Sequence, residues 1–383
     1  MTTIVHAAGA AELLAAIPVL TGFTPRDSVV LLPFRRSRTA GALRFDLPPA
    51  GDSDAEGVPS PTVEQFAATA LGLVRRIPEA DGLAIAVYAD GTEQAATGEG
   101  PPVPDLVDAL LREAVARGLH VVEALHVGAS AWRDYRDPLA PPHPLAEVPA
   151  PPPVPGFAGP APDQFSGTDL PEPGLFATES VGRALISLER VLGPAGPRRT
   201  LPTAVDRVDP RAQETAALLD DLPSFLEELL DAPETPSPFA AAALIWILNR
   251  PALRDVALVQ WASSIEHGDR ALAAQLCHTA TGREVPVDVG GILIGHGPRP
   301  DLDRLGVALT LLRRTVALAP RQARGGPLAA VAWLSWATGR STHAIRYLDQ
   351  AQEVEPGLTF AQLLRAVIDA GVLPDWAFRA AAS

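Results

Sequence analysis

The sequence predicts an α/β domain with a mixed sheet, followed by an all-α domain containing tetratricopeptide-like helical hairpins. Three observations carry this. Through roughly the first 130 residues the apolar pattern switches between a period of two and a helical period. From Pro138 to Pro173 lie thirteen prolines, including the run "PPPVP". After Pro173 the periodic segments repeat at helical spacing, with Gly and Pro between them. The expected division is an α/β domain over 1–136, a Pro-rich linker over 137–173 and a helical domain over 174–383, with repeat-like hairpins at 302–371.

In order along the chain, "AAELLAAIPVL" reads as a short amphipathic helix, and "GFTPRDS" as a turn cluster in which Pro25 sets a bend. "SVVLLPF", from Ser28, is rich in β-branched residues and predicts a strand. "GALRFDLP" alternates, with Leu43, Phe45 and Leu47 on one face. The short basic connection between these two strands suggests a hairpin. A helix from Thr62 to Ile77, a strand "GLAIAVYA", a helix from Asp105 to Gly118 and a strand "HVVEALHV" follow. Pro61 and Pro104 stand near the helix starts, where a missing N–H costs least. This alternation implies parallel pairing by right-handed crossovers, joined to one antiparallel hairpin.

Proline removes backbone donors and fixes φ. The Pro-rich stretch is therefore read as a semi-extended linker with polyproline II character, neither sheet nor regular helix. Beyond it, helices are expected at Ser180–Leu192, Pro210–Asp231, Pro238–Leu248, Ala252–Glu266, Arg270–Thr281, Leu302–Leu318, Leu328–Thr338, Thr342–Val354, Leu358–Ala370 and Asp375–Ala381. "VPVDVGGILIGHGPRPD" has four glycines and reads as a loop.

Composition excludes several chemistries. The formal charge is −14, which argues against nucleic acid or an anionic membrane as the main partner. All 31 basic residues are arginine. Without lysine there is no Walker-type phosphate loop, no Schiff-base lysine and no Ser-x-x-Lys pair. Cys277 is the single cysteine, so an intrachain disulfide, a thiolate zinc site and a Cys-x-x-Cys pair are ruled out, and a reducing cytoplasm is the expected setting. The N-terminus lacks a basic region, and the apolar run "FAAAALIWIL" from Phe239 is short of the ~20 residues that cross a bilayer. No catalytic motif emerges and no cofactor is expected. Whether the chain is an enzyme, and its oligomeric state, stay open.

The stretch "WLSWATGRSTHAIRYLDQAQEVEP" looks like a tetratricopeptide repeat. Ala332, Gly339, Ala344, Ala351 and Pro356 fall at its small, turn, small, small and proline positions, while Ser335 departs from its tyrosine-type position. Ala344, Ile345, Leu348 and Ala351 form one stripe, and alanine there lets a neighbouring helix approach closely. Thirty-six residues upstream of Pro356, Pro320 closes a half unit, "ALTLLRRTVALAP". "LTFAQLLRAVIDAG" would cap the array. A groove of this kind usually binds peptides, and Trp336, Arg340, His343 and Tyr347 are the residues expected to meet a protein or peptide partner.

Two stretches together resemble a family of actinobacterial proteins, the domain-of-unknown-function 4192 family. "AAELLAAIPVLTGFTPRDSVVLLPF" is similar to its N-terminal signature, and "LRDVALVQWA" and "AAVAWLSWATGRSTHAIRYLDQAQEVEPGLTFAQLL" to its later blocks. The likeness spans most of the chain outside the linker and the glycine-rich loop. Members often carry a cysteine- and tryptophan-rich segment after the last N-terminal strand. The matching stretch here has Trp132 and Tyr135 but no cysteine. The resemblance implies no activity and no catalytic residues.

The remaining candidates are local. His120 and His126 are placed on one strand face, ~20 Å apart, with Glu123 on the other face. His267 and His278 are expected on neighbouring helices with a turn at Gly268. The pairs Asp220-Asp221 and Glu227-Glu228 mark a solvated face. The glycine-rich loop 290–297 offers free backbone N–H groups to an anion but matches no dinucleotide fingerprint. Arg26, Asp27 and Ser28 stand at the mouth of the first strand, where turn residues can present a small-molecule pocket or cap the turn backbone. No metal site is expected. The function expected is a protein-interaction or scaffold module using the helical domain. The alternative is a small-molecule-binding or enzymatic α/β domain with its pocket near the first strand.

Overall fold

The computed structural model describes residues 9–39, 41–48, 61–89, 101–154, 158–193, 209–232 and 235–378. The chain divides into two compact units, Met1–Ser166 and Gly167–Ser383.

The first unit is a mixed sheet with helices on both faces. Its strands are β1 (Ser28–Arg35), β2 (Arg38–Thr39), β3 (Leu43–Asp46), β4 (Gly82–Tyr88), β5 (His120–Val127), β6 (Ala131–Asp134) and β7 (His143–Pro144). The order is β2-β1-β4-β5-β6-β7, with β3 also paired to β1. β4 and β5 are parallel, and the other pairs are antiparallel. Helix α1 (Ala10–Thr21) covers one face through Leu13, Leu14 and Ile17. Helices α2 (Val63–Arg75) and α3 (Pro104–Ala116) cover the other, where Leu43, Phe45 and Leu47 also pack. Thr62 starts α2 by a reciprocal capping box with Gln65, which satisfies two of the N–H groups a helix start leaves free.

The Pro-rich stretch departs from the sequence reading at one point, since it supplies a strand. His143 and Pro144 pair with β6 at the sheet edge, where proline's missing donor can face away from the ladder.

The strand face of the histidines is also corrected. The register slips between Leu83 and Ala84, so β5 carries an extra residue, Val122. A bulge reverses the alternation beyond it. His120 therefore shares a face with Glu123, and His126 lies on the opposite one, in edge contact with Tyr135.

The second unit is helical: α4 (Leu175–Leu192), α5 (Pro210–Leu218), α6 (Leu222–Asp231), α7 (Pro238–Leu248), α8 (Pro251–Ala262), α9 (Ile265–Thr281), the short α10 (Val287–Gly290), α11 (Leu302–Leu318), α12 (Gly325–Ala337), α13 (Ser341–Val354) and α14 (Thr359–Asp369). The helix expected over Pro210–Asp231 is broken. Pro223 cannot continue the preceding turn, which tightens at Leu219–Asp221, and Asp221 then caps α6 by accepting from Ser224 N–H at 3.2 Å. The glycine-rich stretch is not open loop but α10 followed by a 3₁₀ turn, Gly291–Ile294. The last expected helix is a 3₁₀ turn, Asp375–Phe378, with its remainder outside the described residues.

Every residue of α12 is buried. It packs against α7, α8, α11, α13 and α14 and forms the axis of the unit. Its N-terminus runs so close to the end of α7 that a Cβ on Gly326 would overlap the Leu248 carbonyl oxygen. Asn249 fastens this corner, accepting from Gly326 N–H at 3.2 Å and donating to the Ile245 and Ala323 carbonyls at 2.9 Å each. On α13, Ala344, Leu348 and Ala351 are fully buried, the close contact that their small size and spacing lead one to expect.

Candidate functional site

The turn before β1 is closed by the protein's own chain. Gln164 accepts from Arg26 N–H at 3.1 Å and donates to the Arg26 carbonyl at 2.9 Å. Alongside, Phe23 bridges Ala161, with Thr24 N–H donating to the Ala161 carbonyl at 3.0 Å and Ala161 N–H to the Gly22 carbonyl at 2.9 Å. Ser28 is fully buried. Its hydroxyl donates to the Arg26 carbonyl and accepts from Arg44 Nε at 2.7 Å. Asp27 has φ +43° and its carbonyl accepts from Leu47 N–H at 2.9 Å. The Asp163 carboxyl is held below its usual range, first by the Ser166 hydroxyl and then by the Phe165 and Ser166 N–H groups and the charge of Arg26. The backbone of Arg26 and Asp27 is thus paired within the chain, while both residues are exposed and Ser28 is buried.

The four residues expected to meet a partner separate. Trp336 is fully buried in α12, where its indole N–H donates to the Val372 carbonyl at 3.1 Å. It belongs to a core trio with Trp333 and Trp376 and cannot touch a partner. Nor does α12 offer a repeat groove, because the packing around it fills the surface such a groove would use. Arg340, His343 and Tyr347 lie on or beside α13 at helical spacing. Arg340 is exposed, His343 half-buried and Tyr347 almost wholly buried. Gly339, at φ +80°, turns the chain from α12, and Arg340 N–H donates to the Ser335 carbonyl at 2.8 Å. Tyr347 of α13 interacts with Arg313 of α11, the point at which the two helices approach.

What lies on this face is residues 167–170. Gly167, at φ +85°, redirects the chain. Thr168 is 4% exposed, the Asp169 carbonyl accepts from Arg313 Nη2 of α11, and Leu170 packs on the hydrophobic core. Burial pushes the Tyr347 phenol up, while the charge of Arg313, its side-chain hydrogen bond to the phenol and the charge of Arg340 oppose this and that of Asp169 adds to it. Those four residues therefore share one neighbourhood. Tyr347 and Arg313 interact with each other through their side chains, so the phenol and the guanidinium meet directly under the segment.

Sequence reasoning missed Arg313, Thr168, Asp169 and Leu170. The one signal available was Leu170, an apolar residue isolated among polar and proline positions.

The other candidates resolve as structural. His267 and His278 are both on α9, which runs through Gly268, so they stand ~16 Å apart along one axis. Glu227 does not face solvent freely. Arg304 grips it at 2.5 and 2.6 Å and Gln260 donates to it at 2.9 Å, and the Arg304 bonds hold its carboxyl below the usual range. In the glycine-rich turn, Gly295 sits at φ +86° where a Cβ would meet Trp336 at 2.9 Å. Its N–H and that of His296 donate to the Ile292 and Gly291 carbonyls, so neither is free for an anion. His296 Nδ1 lies 2.9 Å from Asp375 Oδ2. Among the described residues no group of three or more His, Cys, Asp or Glu could hold a metal, and no helix is long and apolar enough to cross a membrane.

Against known proteins, no curated protein and no solved structure matches. One family does, described as "Domain of unknown function (DUF4192)", over residues 11–156 and 300–375. The match takes in β1 to β7 with much of the Pro-rich stretch, then α11 to α14, and leaves out the "LRDVALVQWA" block. With more than half of its length matched, including the α/β unit and both helices of the candidate face, the chain belongs to the DUF4192 family.

Proposed function

We propose that the helical unit is a protein-interaction module that docks an extended peptide where Arg313 of α11 meets Tyr347 of α13. The observation that carries this is the seat of residues 167–170: an irregular segment of this chain lies there, through a main-chain carbonyl on Arg313 and a leucine against the core. Main-chain capture plus a side-chain anchor is how extended peptides are bound generally. Arg313 and Arg340 give the face local positive charge on an acidic protein, which favours an acidic ligand.

The test uses the full chain with the seat vacated by Thr168→Gly together with Leu170→Ser. A fluorescent peptide with the sequence of Ser166–Pro173 is titrated against it by anisotropy. Saturable binding, lost on adding Arg340→Glu, is the expected result. A vacated chain that takes up no peptide would sink the docking reading.

A further inference from the structure

We infer that the outer face of α4 pairs, antiparallel, with α4 of a second copy of this chain, making a two-fold dimer through the helical unit. The residues involved are not those of the docking reading, and either can fail without the other. α4 also lies outside the stretches matched by the family, so the pairing is a property of this chain.

α4 buries one stripe and leaves another bare. Val181, Ala184, Leu185 and Leu188 pack inward, and the helix lies against α5 and α7. Leu175, Phe176 and Ile186, by contrast, are 75, 77 and 45% exposed. Large apolar side chains gathered on one exposed face mark an interaction surface. Leu175, Glu179, Gly182 and Ile186 recur at spacings of four, three and four, so they line one side of the helix. Along that side a half-open groove of about 290 Å³ runs between α4 and the turn at Pro320, with Gly182, Leu185, Ile186 and Pro320 among its walls. Glu179 and Arg183, beside the stripe, form no ion pair among the described residues.

The order of these residues is self-complementary, and this selects the second copy as the occupant. In a two-fold contact, residue i meets residue j and j meets i. Turned antiparallel about an axis at Val181, each Glu179 faces the Arg183 of the other copy, giving two opposite-charge pairs. The same register brings Phe176 level with Ile186 of the other copy, and Leu175 beside it, over the groove. Gly182 has no side chain to hold the backbones apart near the centre. A parallel pair in register would instead set Glu179 against Glu179 and Arg183 against Arg183. The helix has eighteen residues and spans about 27 Å, so the contact is at the small end of specific interfaces and the dimer is a micromolar one.

Sedimentation velocity of the full chain is the test, with circular dichroism confirming that each variant keeps its helix content. The wild-type chain is expected to pass from monomer to dimer across the micromolar range. Glu179→Arg alone places arginines opposite each other, and Arg183→Glu alone places glutamates opposite each other. Each is expected to weaken the dimer by about tenfold or more. An equal mixture of the two single variants restores opposite charges at both pairs and should restore the dimer, as should one chain carrying both changes. Phe176→Ser should weaken it without charge. A wild-type chain that stays monomeric through that range would overturn the inference. So would a dimer that survives both single variants, or a mixture of them that stays monomeric.

Discussion

The Pro-rich stretch and its tail touch the two units in different ways. In the first unit, Gln164 meets the turn before β1 with both ends of its amide, so that donor and acceptor of Arg26 are each matched. In the second, residues 167–170 lie over Tyr347 and Arg313, which bond to each other, and are held by one main-chain carbonyl on Arg313 and a half-buried Leu170. The two contacts are a few residues apart in sequence. One is a two-point contact through a side-chain amide; the other joins the core through a main-chain carbonyl and a leucine, the kind of contact an extended peptide makes.

The comparison breaks first at Gln164. Gln164→Ala leaves both Arg26 backbone groups unmatched and is expected to destabilise the first unit by about 2 kcal/mol. Urea unfolding, with hydrogen exchange localising the loss to β1 and β4, is the measurement; an unchanged midpoint would make the seam as dispensable as the seat. Leu170→Ala removes a half-buried anchor and should cost the second unit only about 1 kcal/mol, with faster exchange confined to 167–170. A loss several times larger would mean that the segment is part of the core.

Tyr347→Phe removes a hydroxyl bonded to Arg313 and should cost the second unit up to about 1 kcal/mol. An unchanged midpoint would show that the bond contributes nothing to stability. The smallest effects are in pH, and they run in opposite directions. The depressed Asp163 carboxyl contributes stability above the ordinary aspartate value near 3.8, lost as pH falls through its lower folded value. The raised Tyr347 phenol contributes below the ordinary value near 10, lost as pH rises through its higher folded value. Acid should therefore loosen the 163–166 turn and alkali the α11–α13 face, with Tyr347→Phe removing the alkaline part alone. Exchange at both ends of the pH range tests this.

Much of the fold is legible from local pattern. The β1–β3 hairpin, the β4–α3–β5 crossover and the helices at 238–248, 302–318 and 341–354 follow from periodicity and from Gly and Pro at their ends. Where legibility failed, the cause was a contact between residues distant in sequence or a backbone irregularity. Val122 looks like any strand residue, yet as a bulge it moves His126 to the other face of the sheet. Trp336 reads as a partner contact until Trp376, Gly295 and Val372 close over it.

The sequence by itself determined the class of most elements, the acidic and lysine-free chemistry, and the small stripe on α13, because these depend on residue type and spacing. Only the tertiary structure decided which face of the helical unit is filled and which is merely covered. The reason is physical: what lies over Arg313 and Tyr347 depends on where residues 167–170, some 145 to 180 positions away in the chain, come to rest.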